Sequence, residues 1–123
     1  MKTKHLIFIF ILLLSASVGH AQQIDSTQKK KVVTEKFKIS GNCEQCKARI
    51  EKAAYKMKGV KDVNWDADSK MLTVIYNSQK VTLSQIKSEI VKAGHDAGDM
   101  KATDSSYSSL PDCCKYRVGD EKR

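Results

Sequence analysis

The residues best able to do chemistry are four cysteines in two pairs, Cys43-Glu44-Gln45-Cys46 and Cys113-Cys114. Two residues separate the sulfurs of the first pair. If a helix opens there, both sulfurs converge at its N-terminus, where free N–H groups and partial positive charge favour anions. The thiolate is the form of cysteine that binds metal. Two soft sulfurs with no hard ligand beside them suit a soft, low-coordinate ion, Cu(I) first and Hg(II) second. Two thiolates around Cu(I) leave one net negative charge, which the helix end and Lys47 would offset.

A CxxC alone also serves zinc sites, dithiol oxidoreductases and structural disulfides. Structural zinc takes four ligands. The sequence has no second CxxC and no paired histidines at zinc-binding spacing, so His95 and Cys113-Cys114 would have to fold back to complete a Zn(II) site. A thioredoxin-type enzyme sets a cis-proline opposite its dithiol, but the only proline here is Pro111, near the C-terminus. A disulfide between Cys43 and Cys46 would close a very small loop and add little stability. An envelope thiol–disulfide oxidoreductase remains the alternative to metal binding. A third reading is an interaction module that keeps the fold without metal.

The elements that must hold the CxxC follow from the apolar period. Phe37 and Ile39 alternate with Lys36 and Lys38, which reads as a half-buried strand. Cys46, Ile50, Ala53 and Met57 fall on one helical face, with Gly59 as the stop. Val63 and Trp65 mark a second strand, Asp66 to Ser69 a turn, and Met71 to Tyr76 a third strand in a hairpin with the second. Thr82-Leu83-Ser84-Gln85 reads as a capping box that opens a helix burying Leu83, Ile86, Ile90 and Ala93 and closing at Gly94. A short final strand is expected over 97–102. The order is βαββαβ, an α+β ferredoxin-like plan with two helices on one face of a four-stranded antiparallel sheet.

The ends of the chain read differently. Met1 to Ala21 combines Lys2 and Lys4, nine apolar residues from Leu6 to Leu14, and a small-residue exit ending Gly19-His20-Ala21. This is the pattern of a secretory signal. Nine apolar residues are too few to cross about 30 Å of hydrocarbon, so no stable membrane insertion is expected after cleavage. The protein is then expected in the periplasm or secreted, where disulfides can persist. Residues 22–33 form a polar leader containing Lys29-Lys30-Lys31, 34–103 hold the periodic region, and 104–123 look like a weakly ordered cysteine-containing tail. The formal net charge of +8 falls by two once Lys2 and Lys4 are removed. No nucleic-acid motif accompanies this charge, and nucleic-acid binding ranks low. The 123-residue length excludes a multidomain enzyme. Beyond the thiols no acid–base or nucleophile constellation stands out, so no enzyme activity is expected.

Residues 34–103 resemble the heavy-metal-associated domain, the fold of copper chaperones, of the metal-binding modules of copper-transporting ATPases and of periplasmic mercury-binding proteins. The resemblance rests on Gly41-Asn42-Cys43-Glu44-Gln45-Cys46, Ile50-Glu51-Lys52-Ala53, Gly59-Val60, the strand pair and Ala93-Gly94-His95. It implies Cys43 and Cys46 as the metal ligands. It puts His95 where relatives carry an aromatic residue, a lysine or a histidine. It also implies a monomer that exchanges its ion with a metal-transporting ATPase or another donor or acceptor protein. In relatives a basic first-helix face docks acidic partners, which assigns docking to Lys47, Arg49 and Lys52. Relatives carry a methionine beneath the metal loop, two residues before the first cysteine, where this chain has Gly41. His95, Cys113 and Cys114 are auxiliary candidates for metal or redox chemistry. About ten residues before Cys113 are enough for the tail to reach the CxxC at roughly 3.3–3.6 Å per residue.

Overall fold

The computed structural model describes residues 31–117. The expected export segment and residues 22–30 of the leader lie outside the described residues. Three strands, β1 (Val32–Lys38), β2 (Val60–Trp65) and β3 (Met71–Asn77), form one antiparallel sheet in the order β1-β3-β2. β3 runs centrally, from Val32↔Asn77 to Lys38↔Met71 on one side and from Val60↔Tyr76 to Trp65↔Leu72 on the other. Period-two burial follows the alternation of the sequence: Leu72, Val74 and Tyr76 of β3 and Val63 and Trp65 of β2 face the core. At the β2–β3 turn the Asp66 carboxylate accepts from the Ser69 amide and hydroxyl.

Two helices cover the inner face. α1 (Glu44–Tyr55) buries Cys46, Ile50, Ala53 and Ala54. It stops four residues short of Gly59, as the Lys56 and Met57 amides turn back to the Ala53 and Ala54 carbonyls. α2 (Leu83–Lys92) buries Ile86 and Ile90. Its capping box forms as expected: the Thr82 hydroxyl accepts from the Gln85 amide at 3.2 Å, and Gln85 Oε1 accepts from the Thr82 amide at 2.9 Å. Such a cap contributes about 1 kcal/mol. Among the described residues no helix is long and apolar enough to cross a membrane.

The expected fourth strand is reduced to a single bridge, Ile39↔Ala97, closed by the Ser40 amide on the Asp96 carbonyl and the Gly98 amide on the Lys38 carbonyl. Gly98 then takes φ +60, and Ala97 and Met100 bond each other across a tight turn. The chain therefore leaves the sheet edge after one residue pair, and among the described residues the sheet has three strands.

Residues 104–117, expected as a weakly ordered tail, pack against the domain. Thr103 caps a short helix, α3 (Asp104–Ser108), and Asp112–Cys114 form a 3₁₀ turn. Leu110 and Cys114 are buried. Gly94, at φ +102, makes this approach possible: a Cβ there would lie 2.7 Å from the Ser106 carbonyl oxygen and 2.9 Å from the Leu110 side chain. The strap is fastened further along by Tyr116, whose hydroxyl donates to the Gly94 carbonyl at 2.8 Å and accepts from the Asp96 amide at 2.9 Å. Arg117 closes it, bridging the carboxylates of Asp96 at 2.8 Å and Asp104 at 3.2 Å. Burial pushes the Asp96 carboxyl up, but the Ala102 amide and Arg117 outweigh that and hold it below its usual range.

Candidate metal centre

The CxxC lies where the spacing predicts it. Cys43 is the N-cap residue of α1, in extended conformation, and Cys46 falls in the first helical turn. Their sulfurs are 3.6 Å apart, and all four cysteines are free thiols. Cys46 is fully buried and its sulfur accepts from the Asn42 amide at 3.3 Å. Cys43 is half-buried, so the pair offers one sulfur to solvent and roots the other in the core. The Cys46 N–H, facing Cys43 at the helix start, is the main force lowering the Cys43 thiol to about 7, against the opposing effect of burial. The thiolate of Cys43 is thereby favoured at a lower pH than that of an ordinary cysteine.

Beneath the loop, where the resemblance implies a methionine, Trp65 packs against Gly41. It is fully buried, and a Cβ on Gly41 would lie 3.1 Å from two of its ring carbons and 3.0 Å from Cys46 Cβ. The indole is fixed by its N–H on the Ile39 carbonyl at 3.2 Å. A glycine at position 41 and a tryptophan at 65 therefore fit each other, a pairing across separate elements that spacing alone does not reveal.

The second cysteine pair comes back to the first. The sulfurs of Cys43, Cys113 and Cys114 all lie within 4.8 Å of one another. Cys113 is exposed and sits 3.1 Å from Gln45 Oε1, while Cys114 is fully buried. Burial, followed by the neighbouring Cys46 sulfur, pushes the Cys114 thiol far up. Asn42 ties the two segments together by donating its side-chain amide to the Lys115 carbonyl at 3.1 Å. The clue in the sequence was Tyr107, Leu110 and Tyr116, large side chains that interrupt an otherwise polar stretch.

His95 does not join this cluster. It is fully buried, and its ring stacks on Tyr116 with centroids 5.8 Å apart. Nδ1 is 2.8 Å from the Ser40 carbonyl, an acceptor only, so Nδ1 carries the proton. Nε2 is the one buried side-chain nitrogen or oxygen without a partner among the described residues. Burial is the main cause that lowers the His95 pKa below its ordinary value.

Of the three basic residues assigned to docking, Arg49 and Lys52 are exposed on α1 and line a shallow groove with Ala53, Lys56 and Ala93. Lys47 is turned away from the sulfurs. Its ammonium donates to Asn64 Oδ1 and the Trp65 carbonyl, both at 2.7 Å, and pairs with Glu51 at 3.3 Å. It steadies β2 rather than the charge at the clamp.

The donor set is all sulfur, which fits thiophilic ions and not the oxygen-seeking ones. Comparison with known proteins agrees. The model of the heavy-metal-associated domain matches residues 36–96. The copper chaperone CopZ of Staphylococcus epidermidis is 35% identical over 61 residues, which span 49% of this chain and 90% of that one. A structure described as the CopZ metallochaperone superposes with a TM-score of 0.51 at 29% identity, over 53% of this chain and 98% of its own. The water-soluble region of the P-type ATPase CopA from Bacillus subtilis does so with a TM-score of 0.51 at 31% identity, over 54% of this chain and 44% of that one. Of these relatives, the CopZ proteins are described as a copper chaperone and a metallochaperone, and the CopA region is one part of a P-type ATPase. With its CxxC at the mouth of α1, the chain belongs to the heavy-metal-associated domain family.

Proposed function

We propose that the protein is an exported carrier of a soft metal ion, Cu(I) before Hg(II) or Zn(II), which binds at Cys43 and Cys46 and passes to a partner by thiolate exchange. The observation that carries this reading is the 3.6 Å sulfur pair at a helix start, with the outer thiol lowered to about 7. A low-coordinate ion leaves room for an incoming sulfur before one of the first pair departs. The half-buried Cys43 is the sulfur that a partner can approach, and Cys46 is fully buried behind it. Arg49 and Lys52, the latter in the last turn, supply positive charge along the exposed side of α1, which suits an acidic donor or acceptor domain of the kind found on metal-transporting ATPases. The signal pattern of residues 1–21 supports a periplasmic or secreted location. The working unit on this reading is a monomer.

The test is Cu(I) titration of the reduced chain against a competing chelator. Wild type is expected to bind, and the Cys43→Ser/Cys46→Ser variant to lose that binding. Equal affinity in both would refute the assignment.

A further inference from the structure

The strap carries two thiols that the exchange mechanism does not use. It lies beyond residues 36–96, where the family model matches, yet it is fastened at several independent points. Gly94 admits α3, Leu110 plugs the core, Tyr116 bonds both Gly94 and Asp96, and Arg117 clasps Asp96 and Asp104. Asn42 then joins the CxxC loop to Lys115, directly beside the second cysteine pair. These fastenings place Cys113 and Cys114 against Cys43 across some 70 residues of sequence.

We propose that Cys113 and Cys114 are metal ligands which, with Cys43, form a three-thiolate seat for a soft d¹⁰ ion, sharing Cys43 with the Cys43–Cys46 pair. The proposal rests on the reading above that Cys43 binds such an ion. Three sulfurs already within 4.8 Å of one another need little rearrangement to close on one cation. Cys114 enters from the buried side and Cys113 from the solvent side, so the seat has both a fixed wall and an open one. Among the described residues no carboxylate or imidazole joins the group, and an all-sulfur donor set favours thiophilic ions. On binding Cu(I), each ligating thiol gives up its proton to solvent, and the ion stays Cu(I). No electron moves.

Cys43 belongs to both sites, so the ion can pass between them by exchanging Cys46 for the strap sulfurs while one bond is kept. The strap thus fills the coordination position that a partner's sulfur would otherwise take. It tightens retention and slows transfer.

The test uses the full reduced chain under anaerobic conditions, loaded with one equivalent of Cu(I). X-ray absorption counts sulfur neighbours, alkylation with mass spectrometry finds which cysteines are protected, and a competing chelator gives affinity. Wild type is expected to show three sulfurs and a protected Cys113. Cys113→Ser, an exposed substitution that leaves the core intact, should drop to two sulfurs and bind more weakly by about tenfold or more. Cys46→Ser should keep three. Two sulfurs in wild type, with Cys113 alkylated as fast as in the metal-free protein, overturn the strap site and leave the CxxC clamp standing. Equal weakening by Cys46→Ser and Cys113→Ser also overturns it, because that points to a four-sulfur centre. Absence of any Cu(I) uptake overturns both readings.

Discussion

Gly41→Met would restore the methionine common in related metal loops, and here it should harm the protein. The new Cβ would meet two Trp65 ring carbons at 3.1 Å and Cys46 Cβ at 3.0 Å. Both neighbours are fully buried. Trp65 cannot slide away, because its backbone amide donates to Glu51 Oε1 at 2.9 Å and its indole N–H to the Ile39 carbonyl. Three further side-chain atoms would then have to enter a filled space. Overpacking of this kind costs about 1–3 kcal/mol. Trp65→Leu alone should also destabilise, by several kcal/mol at most, since it leaves a cavity where a large ring was buried. Together the two changes should compensate, with the methionine entering the vacated space and a coupling of about 1 kcal/mol or more. Urea unfolding of the reduced, metal-free chain, followed by circular dichroism, measures all four corners of the cycle. Additivity within about 0.5 kcal/mol, or stabilisation by Gly41→Met alone, would refute the argument that residues 41 and 65 share one space.

Other expectations follow from the same geometry. Alkylation of Cys43 in the metal-free protein should rise with pH through a midpoint near 7, ahead of the buried Cys114, whose thiol is pushed up; mass spectrometry of quenched samples reads both. The lowered Cys43 thiol adds stability that is present above pH 9.0, the ordinary thiol value, and is lost as pH falls from there towards 7. His95 acts in a separate window. Its folded pKa lies below the ordinary 6.5, so the unfolded chain takes up a proton first and stability falls as pH drops below 6.5. That slope should flatten in His95→Phe, measured by urea unfolding at a series of pH values. Gly94→Ala forces a φ of +102 on a residue with a Cβ and drives that atom into Ser106 and Leu110. The backbone strain alone costs about 1–3 kcal/mol, and the clash should loosen the strap, seen as faster hydrogen exchange over 104–117.

Much of this arrangement could be read from local patterns. The CxxC at a strand-to-helix junction, the Thr82–Gln85 capping box and the alternation of β3 each depend on residues close in sequence, and each appears where expected. The misses share a different cause. The fourth strand had suitable residues at Ala97 and Ala102, but Gly98 turns the backbone before a second pair can form. The polar, serine-rich composition of 104–109 concealed a strap held by contacts to Gly94 and Asp96, which no local period encodes. Lys47 looked like a charge partner for the sulfurs because of its position beside Cys46. It instead follows the acceptors that β2 offers. Local reading placed Cys43 and Cys46 together at the helix start, and only tertiary packing brought Cys113 and Cys114 beside them.

Trp65 is the single tryptophan of the chain, and it packs on the loop that carries the clamp. Its indole shares Gly41 as a neighbour with Cys46, so any tightening of that loop around a cation must alter the ring's surroundings. On the proposed reading, its ultraviolet emission is an intrinsic optical reporter that should shift when Cu(I) is added and shift back when a chelator removes it, with no dye attached and no surface residue changed.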